Sequence, residues 1–149
     1  MRLLPRLARF ALMATLDVAL HARGRPVSSK QLAARHDLPP RRLETVLQAL
    51  VRAGILKSVR GPAGGYALAR ERRRLSVGEI VRVALRTEED VDADSDKPRL
   101  LTAVLEPLIA EAEETALTRL DEISLDDLHA RAIAHGFGER GDVGGDFDI

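Results

Sequence analysis

The chain has no cysteine and no tryptophan among its 149 residues. Without thiols it can hold no disulfide, no zinc–cysteine site and no cysteine-ligated iron–sulfur cluster, and such a composition fits the reducing cytoplasm. Aromatic residues are scarce, one Tyr and three Phe. That argues against a base-stacking surface of the single-strand-binding kind. Long apolar runs are missing too. The stretch Ala8 to Ala22 is apolar but interrupted by Arg9 and Asp17. It falls short of the roughly 20 apolar residues of a membrane span, and nothing resembling a cleavage site follows it. Neither a membrane segment nor a signal peptide is expected. Net charge is also absent, because 23 Lys/Arg balance 23 Asp/Glu. That zero hides a division. Residues 1–75 carry 16 Lys/Arg against 4 Asp/Glu and residues 76–149 carry 7 against 19, so the halves stand at +12 and −12. Blocks of opposite sign this large point to different partners for the two halves, with phosphate suited to the basic one.

What is present reads as one domain, or a small domain with an appendage. Leu7, Ala11, Ala14 and Val18, with Leu16 and Leu20, recur at helical spacing. They predict a first helix over about residues 5–22, ended by Gly24. Ser28-Ser29-Lys30-Gln31 is a capping box, opening a second helix near 29–36 with Leu32 and Ala33 inward. Asp37-Leu38-Pro39-Pro40 is a turn, and Pro40 suits a first helical position. A third helix then carries Leu43, Val46, Leu47, Leu50 and Val51 inward, with Gly54 as its stop. Arg41, Arg42, Thr45, Gln48 and Arg52 are left facing outward.

Ile55 to Val59 and Tyr66 to Ala69 read as two short strands, joined by the loop Gly61-Pro62-Ala63-Gly64-Gly65. Helix, helix, then a basic hairpin is the order of a winged helix-turn-helix. Such a unit places one helix in the DNA major groove and its wing against the backbone or minor groove. The expected fold class is therefore mainly α with a small β-wing. Base reading falls to Arg41, Arg42 and Thr45, with Gln48 one turn further on. Lys57, Arg60, Gly61, Gly64 and Gly65 form the wing contact, with Arg70 as further charge. Ser28 and Tyr66 complete the candidate DNA-binding set. A nucleotide-binding loop is the competing reading of the glycines, but it lacks the Gly-Lys-Ser/Thr ending and no helix opens after it.

Ser76-Val77-Gly78-Glu79 is a second capping box, opening a helix with Ile80, Val81, Ala84 and Leu85 inward. Thr87 to Pro98 holds six Asp/Glu and reads as a solvated acidic loop. It lacks the glycine and closing glutamate of a calcium loop. From Pro98 to Ile123 runs the longest helix, with Leu101, Leu105, Leu108, Ile109, Ala112, Ala116, Leu120 and Ile123 at spacings near three and four. Pro107 is expected to kink or break it. An apolar stripe on an appended helix needs a partner surface, and a symmetric dimer supplies one. Ser124 caps a last helix, Leu125 to His135, ended by Gly136. The tail Phe137 to Ile149 is rich in glycine and acid and is expected to be mobile. The implied division is a winged helix over 1–85, an acidic linker over 86–98, dimerisation and C-terminal helices over 99–136, and a tail over 137–149. His21, His36, His129 and His135 show neither a nucleophile partner nor metal-ligand spacing, so no metal site and no enzyme are expected.

The segments Phe10-Ala11-Leu12, Ser29 to Leu32, Arg42-Leu43-Glu44, Leu50 to Tyr66 and Ser76 to Val81 together resemble the Rrf2 family of bacterial transcription regulators, to which IscR, NsrR and CymR belong. The likeness covers about residues 5–125 and is most specific from Arg52 to Tyr66. It implies a homodimer of two winged helices, crossed by long dimerisation helices, on an imperfect palindrome. Cluster-binding members carry three cysteines between the helix after the wing and the dimerisation helix. Here that place is Thr87 to Pro98, with no cysteine and no histidine. Members with an acidic ligand near the N-terminus have it just before the position of Phe10, where this chain has Arg9. A cluster-free member without cofactor is expected. The resemblance to cluster-free, CymR-like members implies a partner, O-acetylserine sulfhydrylase, a pyridoxal-phosphate enzyme that accepts C-terminal peptides ending in isoleucine. The chain ends Gly145-Asp146-Phe147-Asp148-Ile149, so Phe147 and Ile149 are the candidate partner-binding residues. The expected function is a cytoplasmic, sequence-specific repressor acting as a homodimer on a palindromic operator. The competing reading is an interaction protein that works through its acidic half and tail, with DNA binding lost. Salt-dependent binding to duplex DNA separates the two.

Overall fold

The structure, a computed structural model, describes residues 4–21, 24–92 and 96–138. Its elements in chain order are α1 (Arg6–His21), α2 (Ser29–His36), α3 (Pro40–Arg52), β1 (Leu56–Val59), β2 (Gly65–Leu68), α4 (Val77–Asp92), α5 (Glu106–Asp121) and α6 (Leu125–Ala134). A single 3₁₀ turn spans Arg72–Arg74, and a π-helical stretch, Leu101–Leu105, leads into α5. The fold class is the expected one, mainly helical with a two-stranded antiparallel wing.

Local chemistry sets the element ends. Ser28 caps α2 reciprocally: its hydroxyl accepts from the Gln31 amide at 3.1 Å, and its own amide donates to Gln31 Oε1 at 3.0 Å. The same box recurs at Ser76 with Glu79 and at Ser124 with Asp127. At the end of α3, Gly54 takes φ +74°. There the Ile55 amide donates to Leu50 O and the Gly54 amide to Val51 O, both at 3.0 Å. This is the paired closure that satisfies the last carbonyls of a helix and turns the chain sharply, here into the wing.

Helix α1 is the hub. It packs against α3, α4, β2 and α6. Ala8, Ala11 and Ala14 are fully buried on it, and such small side chains let neighbouring helices approach closely. Around it lie the fully buried Leu32, Leu43, Leu47, Leu50, Ile55, Leu56, Leu75, Ile80 and Leu125. Each contributes about 1.5–3 kcal/mol relative to exposure. The wing pairs in register from Leu56 with Leu68 to Val59 with Gly65. Val27 adds a one-residue third strand by exchanging hydrogen bonds with Tyr66, at 2.9 and 2.7 Å. A Cβ on Gly65 would collide with the Val27 carbonyl, so the glycine permits this close approach.

Three details differ from the sequence reading. The segment from Thr87 is not wholly a loop, because α4 continues through Asp92 and crosses the expected boundary at residue 85. Charge alone does not break a helix: no glycine or proline lies between Gly78 and Pro98, and glutamate has good helix propensity. Pro107 does not break the long helix, which runs from Arg99 to Asp121. Instead the turn before the proline widens to the π form over Leu101–Leu105. Proline offers no amide and crowds the carbonyl four residues back, and the wider turn accommodates both. The helix ends at Asp121, two residues earlier than expected.

The start of α4 is stitched to the turn between α5 and α6. The Val77 amide donates to Ile123 O at 2.8 Å and the Leu125 amide to Leu75 O at 2.7 Å, around a bridge of Ser76 with Ser124. Arg82 on α4 spans two carboxylates of α5. It donates to Glu114 at 3.1 and 3.2 Å and to Asp121 at 2.9 Å. Those two acids hold its guanidinium charged even more firmly than usual.

Candidate nucleic-acid interface

Helix α3 buries Leu43, Val46, Leu47, Ala49 and Leu50. That leaves Arg41, Arg42, Glu44, Thr45, Gln48 and Arg52 exposed on the other face. No side chain caps its N-terminus, where Pro39 and Pro40 stand. The Arg41 and Arg42 amides are then among the orphan donors of a helix start, whose partial positive charge favours anions. Thr45 Oγ1 donates to Arg41 O at 3.0 Å, so its lone pairs remain open to an outside donor. Glu44 stands on the same outward face, a residue the sequence reading left out of the candidate site.

On the wing, Lys57, Arg60 and Gly61 are exposed and Gly64 is half-buried. The loop closes tightly, with the Gly64 amide donating to Gly61 O at 2.9 Å. A Cβ on Gly64 would strike the Val59 and Gly61 carbonyls. The arginines then separate into two groups. Arg70 pairs with Glu79 at 3.0 Å and Arg72 with Asp126 at 3.3 Å, so Arg70, expected as wing charge, is already engaged. Arg41, Arg42, Lys57 and Arg60 have no ion pair with a carboxylate among the described residues. Their charge is therefore not spent on an internal ion pair among the described residues. Ser28 spends its hydroxyl on the helix cap. Tyr66 packs against the core, and burial, then the nearby Glu44 charge, raises its hydroxyl pKa and keeps it protonated.

The sequence reading missed an ion cluster behind this surface. Asp17 of α1 is 2% exposed. Arg35 of α2 donates to it through Nε at 2.9 Å and Nη2 at 2.8 Å, His36 Nε2 lies 2.6 Å from it, and His21 Nδ1 lies 3.3 Å away. Burial pushes the Asp17 carboxyl up, but the bonds from Arg35 and His36 outweigh it and hold the pKa below the ordinary value. The cluster ties α1 to the last turn of α2, directly before the turn into α3. Its sequence signal was an acid at the inward phase of an apolar helix.

The residues expected to dimerise divide as well. Leu105, Leu108, Ile109, Ala112 and Ala116 are exposed, Leu101 is half-buried, and Leu120 packs on the chain's own core beside the buried Leu117. Leu100 and Val104, not foreseen, are 70% and 57% exposed and lengthen the apolar stripe. Phe147 and Ile149 lie outside the described residues.

Fold and surface together define a winged helix-turn-helix transcription regulator that binds DNA. The chain belongs to the Rrf2 family: the model of that family, described as an iron-dependent transcriptional regulator, matches residues 4–131. It is similar to Protein rrf2 of Nitratidesulfovibrio vulgaris, 30% identical over 81% of this chain and 83% of the relative. It is also similar to the HTH-type transcriptional regulator IscR of Xenorhabdus nematophila, 39% identical over 57% of this chain. The chain spans half the length of that relative, 50%. Among solved structures it resembles T. potens IscR, with a TM-score of 0.64 and 32% identity, covering 91% of this chain and 92% of that one. It also resembles CymR (YrzC), the global cysteine regulator of B. subtilis, with a TM-score of 0.66 and 28% identity, covering 88% and 98%. The iron in the family description finds no thiolate here, since the chain has no cysteine. Among the described residues no three His, Asp or Glu gather as metal ligands. The side chains present do not fit a cysteine-held cluster. No helix among the described residues is long and apolar enough to cross a membrane.

Proposed function

We propose that the protein is a cytoplasmic repressor acting as a homodimer on a palindromic operator, without an iron–sulfur cluster. Arg41, Arg42 and Thr45 read bases, with Gln48 beside them, while Lys57, Arg60 and the Gly61–Gly65 loop hold the backbone or minor groove. The observation that carries this reading is that Arg41 and Arg42 at the uncapped start of α3, and Lys57 and Arg60 on the wing, are exposed and have no ion pair among the described residues. The exposed stripe on α5 and the turn before it supports the dimer, because two copies bury it against each other and present two recognition helices to two half-sites. The test is binding to fragments selected from the source genome, followed by anisotropy titrations. Arg42→Ala is expected to cost about 1–3 kcal/mol and relax sequence preference. Arg60→Ala is expected to weaken all sequences alike and flatten the salt dependence. Unchanged affinity in both variants rejects the assignment. Absence of any salt-dependent binding to duplex DNA favours the interaction-protein reading.

A further inference from the structure

We infer that Asp17 of α1 is a positioning residue for the recognition helix: through Arg35 and His36 it fixes the turn that launches α3. Helix α2 is eight residues long, and Leu32 is its only buried side chain. Its start is pinned by the Val27 bridge to Tyr66 and by the Ser28 cap. A lone apolar contact at mid-helix is an axle about which the far end can swing, because hydrophobic burial is non-directional. Asp17 holds that far end. Arg35 reaches it with a two-pronged fork at 2.9 and 2.8 Å, and His36 Nε2 lies 2.6 Å from its Oδ2. A bidentate pair fixes angle as well as distance. The Asp17 side chain is itself fully enclosed, on a helix packed against α3 and α4, so it serves as the fixed point. As a source of stability alone such a pair is a poor choice, since apolar side chains of like volume often do as well. Direction is what an apolar pair does not supply.

The turn carries that direction onward. Only Asp37, Leu38 and Pro39 separate α2 from α3. Asp37 stands in the left-handed region at φ 50° and ψ 51°, a conformation that a non-glycine residue keeps only where its surroundings hold it. Its amide and that of Leu38 both donate to Ala33 O. Leu38 is buried, and Pro39 and Pro40 fix two φ angles and restrict the residue before each. Little rotational slack is left, so a tilt of the last turn of α2 passes to Arg41 and Arg42, directly after Pro40. Hydrogen bonds to base edges work within a few tenths of an ångström, whereas contacts to phosphate carry no sequence information. Loosening the turn therefore lowers affinity for the right sequence and spares affinity for arbitrary DNA. This effect on base reading rests on the function proposed above, whereas the hold on the turn does not.

The test measures the specificity ratio of the full chain by anisotropy at fixed salt. The ratio is affinity for duplexes selected from a random-sequence library over affinity for an unselected duplex of equal length. Net charge and folded fraction scale both affinities, so the ratio reads geometry. Asp17→Asn keeps the shape but turns amide protons toward Arg35 and His36. It is expected to lower the ratio about tenfold or more, the size of one lost base contact. Arg35→Lys keeps the charge, replaces the fork by a single donor, and is expected to lower the ratio as well. Leu125→Ala, a core truncation in α6, is expected to lower the melting temperature and leave the ratio unchanged. A ratio that either cluster variant leaves at the wild-type value overturns the inference, and so does an equal fall in Leu125→Ala. A second arm follows hydrogen exchange at the Leu38 amide without DNA. Exchange is expected to be about fivefold or more faster in Asp17→Asn than in Leu125→Ala, and equal exchange overturns the hold on the turn. A wild-type ratio near one overturns the proposed function and the base-reading role with it, and the exchange arm still decides the hold.

Discussion

Asp17 links folding to pH, because a carboxylate only 2% exposed must lose its partners if it takes a proton. Its pKa is lowered from 3.8, so the ionised form is bound more tightly in the folded chain. The stability it contributes is full above about the unfolded value and is lost as pH falls through the lower folded value. Asp17→Asn keeps the shape and removes the charge. Arg35 is 31% exposed, which softens the loss, so the expected cost at pH 7 is about 1–3 kcal/mol by urea denaturation. The gap between the two proteins should shrink below pH 3.8. Gly65→Ala tests the wing clamp. A Cβ there meets the Val27 backbone, which cannot rotate away as a side chain would, and overpacking of this kind costs about 1–3 kcal/mol. Caps and turn glycines were legible because their chemistry is local. The Asp17 cluster was not, because it joins residues 18 and 19 positions apart, and no periodicity along one helix announces a partner on another.

At the scale of elements, α5 and its π-helical lead-in carry an apolar stripe that finds little cover in one chain. Leu105, Leu108 and Ile109 are 44%, 63% and 55% exposed. A Glu at Leu105 or Ile109 would be harmless in a monomer but buried without a partner in the proposed dimer. Sedimentation should show either variant shifted to monomer, with helix content unchanged and operator binding lost. A Leu105→Glu protein that still sediments as a dimer places the interface elsewhere. The stripe itself was readable from spacing. Its division was not: Leu117 and Leu120 turn toward the chain's own core, and only packing against α4 decides which side of a long helix is used internally. The reach of α4 to Asp92 was hidden for another reason. A run of acids lowers hydropathy without supplying a helix breaker, so composition suggests a loop where backbone propensity continues the helix.

Over the whole molecule the charge is divided at +12 for residues 1–75 and −12 for residues 76–149. Arg41, Arg42, Lys57 and Arg60, which have no ion pair among the described residues, lie on the winged helix, while Arg70, Arg72 and Arg82 are spent on internal acids. DNA binding should therefore be steeply salt-dependent. If Lys57 and Arg60 each contact one phosphate in both protomers of the proposed dimer, log K against log salt should have a slope of about −3.6 or steeper. A slope near zero in titrations between about 50 and 200 mM salt would exclude backbone contact by the wing. The charge division and the order of elements were visible in the sequence, and they carried most of the fold. Which arginines remain unpaired was not, because that depends on the carboxylates that three-dimensional packing brings beside them.

The backbone stitch between the starts of α4 and α6 makes the chain the arm of a caliper. Val77 with Ile123 and Leu125 with Leu75 bind the root of α5 to the winged helix, and Arg82 braces the angle between α4 and α5. In a dimer joined along α5, the jaw opening is then set by the helix crossing and not by a flexible linker. One added base pair between half-sites moves the second by about 3.4 Å and turns it by about 35°. A chain with a hinge would swing to follow. This one must twist the DNA or release one half-site, so operators lengthened or shortened by a single base pair should bind far more weakly, and those changed by a full helical turn should not recover.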